Sequence, residues 1–232
     1  MKLAFFVEGY TEVLLIKELA LFNYGENDLS YGLFRLRGGN NIPVSITKDD
    51  FCNAKKGTPK YTFHIYDCGG LDNIRSMINH QRNSLFINGF EKIIGIRDVH
   101  PEDRNQIPKL KMDLPYRMAQ KPIPTAFLLC IMETEAWFIA EHEHFLKISN
   151  QLTTEFIKTK TGIDIKTIDV ESLDTPAETL NEIYSHAGES YEKNMISIKR
   201  TINSLDLYTL YCILPDKIPS LMSLIYEMDD SK

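Results

Sequence analysis

Short apolar runs alternate with amphipathic stretches through residues 1–145 of the chain. The runs LAFFV, FHIY, IIGI and FLLCIM each predict a strand, and the continuous apolar run LAFFV is typical of a strand that is covered on both faces. Apolar residues at helical spacing follow the first, second and last of these runs. This order predicts an α/β fold with a mainly parallel sheet flanked by helices.

The segments between these runs predict helices and loops. A helix is expected from about Thr11, whose hydroxyl suits an N-cap, with Glu12 in its first turn. A second helix is expected over residues 71–85. The sequence GLFRLRGGNN predicts a short strand, and the polar stretch KDDFCNAKKGTPK that follows it predicts a loop. Residues 101–122 predict a long, irregular connection.

The pattern changes after residue 150. The segments TTEFIKTKTG, TPAETLNEIYSHAG, EKNMISIKRTINSL and IPSLMSLIYEM all predict helices joined by short turns. We therefore expect an α/β catalytic domain over residues 1–148 and a helical extension over residues 149–232. Three roles stay open for this extension: intramolecular packing, a dimer interface, or binding of a partner protein.

Composition excludes several classes of protein. The chain has 232 residues, of which 43% are hydrophobic and 25% charged, so a folded globular protein is expected. Its four cysteines form no C-x-x-C pair, which argues against a zinc site or a disulfide framework. No apolar run reaches the about 20 residues that cross a bilayer, and the N-terminus does not read as a signal peptide. A cytoplasmic protein without a membrane partner is expected.

Acidic residues follow the predicted strands. They are Glu8, Asp67, Asp98, Glu133 and Glu135. Ligands of parallel sheets bind at the carboxyl ends of the strands, so these side chains would converge on one edge. Clustered carboxylates repel one another, and a divalent cation relieves that repulsion. Mg²⁺ and Mn²⁺ prefer such oxygen ligands.

Four motifs in order resemble the TOPRIM (topoisomerase-primase) family. FFVEGYTE is similar to its first motif, a strand that ends in Glu-Gly, and IIGIRDVH occupies the place of its second, a strand that ends in Asp-x-Asp. YDCGG and METEAWFIAE resemble motifs of small bacterial TOPRIM-like proteins. The resemblance covers residues 1–145 and implies a Rossmann-like sheet, phosphoryl transfer and a Mg²⁺ or Mn²⁺ cofactor.

The resemblance also implies roles for individual residues. Catalysis is expected of Glu8, Asp98 and His100. Metal binding is expected of Glu8, Glu12, Asp98, His100, Glu102 and Glu135, with Glu8 and Asp98 close enough to share a cation. His100 replaces the second aspartate of the family, so it could ligate a transition metal, move a proton, or mark a weakened site.

The basic segment PKLKMDLPYRMAQKP and two arginines are candidates for nucleic-acid binding, and KDDFCNAKKGTPK is a weaker second segment. The residues proposed for this role are Arg37, Arg97, Lys109, Lys111, Arg117 and Lys121. A net charge of −6 argues against bulk electrostatic coating of DNA or RNA, but it permits a local basic patch beside a metal site. An alternative interpretation makes the same residues an ordinary charged surface loop.

The expected function is metal-dependent cleavage of DNA or RNA. Proteins that this sequence resembles often serve in antiphage or mobile-element systems with a partner ATPase, and a homo-oligomer is also possible. The alternative is a non-catalytic module that binds nucleic acid or protein with a degenerate metal site. A phosphoesterase acting on a small nucleotide is a third possibility.

Simpler interpretations suffice for several polar residues. Asp67 and Glu133 are assigned to ordinary surface, since strand ends are exposed in most sheets. His142 and His144 are two residues apart and would not share a helix face, so a solvated helix surface is expected there. His64 is expected to be a packed strand residue.

Overall fold

The structure is a computed structural model that describes residues 1–39, 42–116 and 120–229. Its strands are β1 (Lys2–Val7), β2 (Leu29–Gly39), β3 (Ile42–Cys52), β4 (Tyr61–Asp67), β5 (Lys92–Asp98) and β6 (Thr125–Cys130). They form a six-stranded sheet in the order β3-β2-β4-β1-β5-β6. β1 is parallel to β4 and β5, β2 is parallel to β4, and β3 is antiparallel to β2. The predicted α/β fold with a mainly parallel sheet is confirmed.

Nine α-helices are present in the described residues. They are α1 (Tyr10–Asp28), α2 (Leu71–Ile87), α3 (Ile107–Tyr116), α4 (Glu135–Ala140), α5 (His144–Ile148), α6 (Thr154–Thr161), α7 (Pro176–Ser185), α8 (Met195–Ser204) and α9 (Pro219–Met228). Short 3₁₀ helices span Arg104–Gln106, Val170–Ser172 and Leu214–Asp216, and a π-helix spans Thr209–Ile213. The helical segments expected after residue 150 are confirmed. None of the described helices has the length and apolarity that a bilayer crossing requires.

The chain divides into two compact units. The first contains residues 1–97, 105–129 and 226–232, and the second contains residues 98–104 and 130–225. The second unit thus includes residues 130–148, which the sequence pattern assigned to the catalytic domain. The expected boundary at residue 148 stays a prediction.

The first unit is built around β1, whose side chains are buried on both faces of the sheet. Residues 3–7 are between 0% and 3% exposed. Ala4 and Phe6 share a core cluster with Ile74, Met77 and Ile78 of α2. On the alternate positions of the strands, Phe5 packs against Phe63 of β4. The continuous apolar run is therefore explained by burial on both faces.

The turn between β4 and α2 depends on two glycines. Gly69 has φ 65° and Gly70 has φ 128°, backbone conformations that disfavour residues with a Cβ. The Asp67 carboxylate accepts a hydrogen bond from the Gly69 N–H at 3.0 Å, and the Gly70 N–H donates to the Glu8 carbonyl at 2.9 Å. The Cys-Gly-Gly segment therefore ties the end of β4 to the end of β1.

The structure corrects two expectations about the connections. The segment KDDFCNAKKGTPK was expected to be a loop, but its first five residues lie in β3. β3 is an edge strand paired only with β2 in the described sheet, so polar residues such as Lys48 and Asp49 stay exposed on it. Residues 101–122 were expected to be irregular, but they contain α3, with Pro108 in the first turn where it costs no hydrogen bond.

The second unit is a helical assembly with its own core. Its most buried large side chains include Trp137, Phe138, Phe145 and Tyr184, each 2% exposed or less. The Trp137 indole N–H donates to the Ser220 hydroxyl at 2.9 Å. His144 is 0% exposed, so the expectation of a solvated helix surface is wrong at this position. Its ring packs on Phe145 and Tyr184, contacts that helical spacing does not predict.

Candidate functional site

Two acidic residues of the first unit, one in α1 and one at the end of β4, are held by local contacts. The Glu12 carboxylate is 7% exposed and accepts a hydrogen bond from the Gly9 N–H at 2.9 Å, where it caps α1. Asp67, beside the Gly69 turn, lies 3.2 Å from the Arg35 guanidinium, which also lies 3.0 Å from Asp49. Asp67 was assigned to ordinary surface, but it is 9% exposed and held by these contacts. Glu8 follows β1 directly and is half-buried.

Backbone hydrogen bonds join two acidic strand ends in the second unit. Val99 N–H donates to the Cys130 carbonyl at 3.1 Å, and His100 N–H donates to the Met132 carbonyl at 2.9 Å. Met132 has φ 60°, which is uncommon for a residue with a Cβ. This turn redirects the chain after β6 and leads directly into Glu133. The segments that carry Asp98 and Glu133 therefore run side by side.

Asp98 is anchored by the residue next to Glu133. Its side chain is 6% exposed. The carboxylate oxygen Oδ1 accepts hydrogen bonds from both the N–H and the hydroxyl of Thr134, each at 3.2 Å. Thr134 is itself fully buried. These bonds fix the orientation of the Asp98 carboxylate relative to the start of α4.

Glu133 and Glu135 share one cation, the Lys193 ammonium. Lys193 Nζ lies 2.9 Å from Glu133 Oε1 and 3.5 Å from Glu135 Oε2. The other Glu133 oxygen accepts the Ala177 N–H at 2.8 Å, at the N-terminus of α7. The side chains of Glu133 and Glu135 are 7% and 0% exposed, whereas that of Lys193 is 48% exposed. A half-exposed cation thus reaches two buried carboxylates.

Tyr191 completes the shell around Glu135. Its hydroxyl donates to Glu135 Oε1 at 2.7 Å, and its ring is 3% exposed. The segment that carries Tyr191 is held because the Tyr191 N–H donates to the Asn181 side chain at 2.8 Å. Asn194 then caps α8 through the N–H groups of Ile196 and Ser197. These two anchors place Tyr191 and Lys193 on the same carboxylate.

The electrostatics of this cluster follow from burial and charge. Burial raises the pKa of Glu135, and repulsion from Glu133 adds to the rise, while Lys193 and the Tyr191 hydroxyl oppose it. Burial works against the charge on Lys193, but attraction to Glu135, Glu133 and Asp98 outweighs it and raises the pKa of Lys193. Lys193 is therefore positively charged at neutral pH and neutralises part of the acidic cluster.

A cavity of about 360 Å³ opens beside the cluster within the second unit. His100, Glu133 and Lys193 line it, together with polar residues of α7 such as Asn181. His100 is 47% exposed, and its Nδ1 lies 3.8 Å from Glu133 Oε1. A ligand in this cavity would meet an imidazole, an ammonium and a carboxylate at once.

The ligand types of the cluster are those that a hard divalent cation prefers, but their spacing does not form a metal site in this structure. Asp98, Glu133 and Glu135 offer carboxylate oxygens, which Mg²⁺ and Mn²⁺ prefer. In the described part of the chain, no group of three or more His, Cys, Asp or Glu is spaced to hold a metal ion. Lys193 instead lies against two of the carboxylates. A metal would therefore compete with Lys193 for them.

The predicted site residues are distributed over both units. Glu8 and Glu12 belong to the first unit, whereas Asp98, His100, Glu102 and Glu135 belong to the second. Glu102 is half-buried, and its N–H donates to the Val99 carbonyl at 3.0 Å. The second unit thus gathers Asp98, His100 and Glu135, with Glu133 added to the set that the sequence proposed.

The predicted nucleic-acid contacts lie in the first unit. Lys109 and Lys111 are exposed on α3, and Lys121 is exposed before β6. Arg97, near the end of β5, lines a cavity of about 210 Å³ with Arg75 and Asp72. The backbone of Arg37 belongs to β2. Arg117 and the side chain of Arg37 lie outside the described residues.

Sequence reasoning missed Lys193, Tyr191 and the role of Glu133. The sequence analysis did not single out Lys193 or Tyr191, because nothing local marks them. Glu133 was assigned to surface, although it is one of the residues closest to Lys193. The only local signal was the pair Glu133 and Glu135 directly after a buried strand.

Comparisons with known proteins identified no relative of this chain. No family model matches the chain, and neither curated proteins nor solved structures give a significant match. The function is therefore argued from the geometry of the cluster.

Proposed function

We propose that this protein is a divalent-metal-dependent phosphodiesterase, most specifically a DNA or RNA nuclease of TOPRIM-like type. The observation that carries the proposal is the burial of Asp98, Glu133 and Glu135 in one unit, with Glu133 lining an open cavity. Burying several carboxylates together is costly unless a cation compensates them. A buried carboxylate with a raised pKa, as in Glu135, is a common feature of active sites.

The chemistry assigned to the chain is metal-assisted phosphoryl transfer. A bound Mg²⁺ or Mn²⁺ would supply Lewis-acid polarisation of the phosphate and activation of a water. Asp98, Glu133 and Glu135 would hold it only after Lys193 is displaced and the carboxylates move closer together, since no group of three such residues is spaced for a metal ion in the described part of the chain. Thr134 and Tyr191 keep two of these carboxylates oriented through their hydrogen bonds. Lys193, once displaced from the carboxylates, offers its ammonium to a phosphate oxygen in the cavity.

His100 is assigned the proton-transfer role. It lines the cavity and is half-exposed, so a substrate can reach its ring. Imidazole is the side chain best suited to accept and return a proton near neutral pH. Glu8 and Glu12 enter the proposal through the motif FFVEGYTE alone, and Glu12 already accepts the Gly9 N–H at the start of α1.

We also propose partners and a cellular role for this protein. Nucleic acid is the partner, with Arg97, Lys109, Lys111 and Lys121 as candidate contacts to its backbone. A cytoplasmic defence or mobile-element role, a partner ATPase and a homo-oligomer follow from the resemblance of the motifs.

One observation favours a binding module without catalysis. Every carboxylate of the cluster already has a protein donor: Thr134 for Asp98, Lys193 and Ala177 for Glu133, and Tyr191 for Glu135. A cluster that is satisfied in this way can serve to hold the helices of the second unit together. Cleavage assays separate this role from the catalytic one.

The test uses purified full-length protein with single- and double-stranded DNA and RNA. Each substrate is incubated with Mg²⁺, with Mn²⁺ and with EDTA. The variants are Asp98→Asn, Glu135→Gln and Glu8→Gln, and the matched control is Asp216→Asn on the exposed surface of the second unit. Circular dichroism and thermal melting establish that each variant is folded.

Metal-dependent cleavage that is lost in Asp98→Asn and Glu135→Gln but kept in Asp216→Asn supports the proposal. Loss in Glu8→Gln as well would add the first motif to the site. Folded wild type that binds DNA in EDTA but cleaves no polymer in either metal supports the binding module. Hydrolysis of small nucleotides without polymer cleavage would redirect the proposal to a nucleotide phosphoesterase.

A further inference from the structure

A second cavity lies in the second unit, and its lining residues lie outside the acidic cluster. Its volume is about 310 Å³, at the small end of the range of roughly 300–1,000 Å³ typical of small-molecule sites. None of its lining residues lines the cavity beside Lys193. It is therefore a separate space with its own chemistry.

The walls of this cavity are largely aliphatic. They come from the segment after α6 and from the region of the π-helix. The aliphatic lining residues are Ile165, Ile168, Val170, Ile213, Leu214 and Ile218. Ile165, Val170, Leu214 and Ile218 are between 3% and 7% exposed, so they form a fixed floor. Ile213, in contrast, is 43% exposed, and a ligand would cover it.

The backbone around the cavity is irregular on both sides. On one side, Thr167 and Ile168 N–H groups both donate to the Asp164 carbonyl, at 3.0 Å and 2.9 Å. On the other, the π-helix Thr209–Ile213 interrupts regular helical geometry, with Leu210 buried beneath it. Single-turn π-helices are rare and occur often at functional sites. One wall of the cavity is thus formed in part by a rare backbone conformation, the π-helix.

The charged residues at the cavity differ in the contacts that they make with the rest of the protein. Glu143 lies 3.5 Å from the His142 ring, and the Asp169 carboxylate accepts the Glu171 N–H at 3.0 Å. Lys166 and Lys217 are exposed, and neither forms an ion pair within the part of the chain that the structure describes. Lys166 and Lys217 are therefore the lining charges that lack an ion-pair partner within 4 Å among the described residues, while Glu143 and Asp169 remain as acidic groups of the same lining.

We infer that this cavity binds a small organic anion with an apolar body, with the aliphatic floor against that body and Lys166 and Lys217 against the charged group. Burial of the apolar body supplies affinity, because apolar area removed from water contributes about 25 cal/mol per Å². The two ammonium groups supply the preference for an anion over a neutral or cationic analogue. This site goes beyond the proposed nuclease function and does not depend on it.

The test is calorimetric titration of the full chain with octanoate, 1-octanol and octylammonium below their aggregation concentrations. Octanoate is expected to bind at one site, at least tenfold more tightly than 1-octanol, with octylammonium weakest. Lys166→Gln and Lys217→Gln should each weaken octanoate at least threefold. The control Lys199→Gln, an exposed lysine on α8, should leave it unchanged.

A filling variant, Ile168→Trp, adds a steric test and should abolish octanoate binding while leaving the melting temperature within a few degrees. If that variant does not fold, the two lysine variants decide alone, since both side chains are exposed. Equal binding of the three probes, unchanged binding in both lysine variants, or absence of saturable octanoate binding would each overturn the inference.

Discussion

Removing the Lys193 ammonium tests the acidic cluster most directly. In Lys193→Met, Glu133 and Glu135 lose the cation at 2.9 Å and 3.5 Å, while the aliphatic part of the side chain is kept. Removing one partner of a buried ion pair typically costs about 3–5 kcal/mol, whereas exposed pairs contribute about 0–1 kcal/mol. Because Lys193 is 48% exposed, we expect a loss of about 2 kcal/mol in the free energy of unfolding at pH 8.

The loss should depend on pH with a defined sign. A raised pKa means that folded Glu135 holds its proton more tightly than the unfolded chain does. The stability from that proton is full below the ordinary carboxyl pKa and is lost as pH rises through the raised pKa. Without Lys193 the pKa of Glu135 should rise further. The difference in free energy of unfolding between wild type and Lys193→Met should therefore be largest at pH 8 and shrink toward pH 5. Lys193 itself stays charged over this range, since its own pKa is also raised.

Urea unfolding at pH 8, 6.5 and 5 measures this deficit, with Lys193→Arg and Lys199→Met as controls. Lys193→Arg keeps the charge and should recover most of the stability, and Lys199→Met should cost less than about 0.5 kcal/mol, as is usual for an exposed position. The corresponding melting temperature of Lys193→Met should fall by roughly 4–8 °C. A variant as stable as wild type at pH 8, or a deficit that is the same at pH 8 and pH 5, would refute the reasoning.

Three further predictions concern single side chains. Tyr191→Phe removes the hydroxyl bonded to buried Glu135 and should cost about 1–3 kcal/mol in urea unfolding; a cost below the measurement error would contradict that bond. Gly95→Ala places a Cβ 2.8 Å from the Phe127 ring and should destabilise by about 1–3 kcal/mol, so an unchanged melting temperature would show that the ring can move aside. His64 has its pKa lowered to about 4, first by burial and then by nearby lysines. Its contribution to stability should therefore be present above pH 6.5 and lost as pH falls through 4; an NMR titration midpoint near 6.5 would disprove this.

The sheet was predictable because its buried strands are composed mostly of apolar residues. LAFFV is apolar at every position because both faces of β1 are covered, and one face packs on α2. The glycines at positions 69 and 70 marked the turn that their positive φ values require. β3 escaped prediction because an exposed edge strand needs no apolar pattern and depends on backbone hydrogen bonds to β2.

The candidate site was predictable only in part. Asp98 and Glu135 stood out because each follows an apolar strand, and both lie in the second unit with His100. Glu133 was passed over, although the left-handed backbone at Met132 directs it toward Lys193. That conformation leaves no mark in the sequence, since methionine rarely adopts it.

By itself, the sequence determined which residues form buried strands, which form helices, and where acids end the strands, because these properties depend on neighbours within a few positions. Only the tertiary structure decided that Tyr191 and Lys193 meet Glu135, which lies 56 residues before Tyr191. Side chains so far apart in sequence are brought together by the packing of α4 on α7 and of α5 on α8, which many weak apolar contacts stabilise. No local sequence pattern indicates these distant contacts. Lys193 could therefore be identified as the counter-ion of the acidic cluster only in the folded chain.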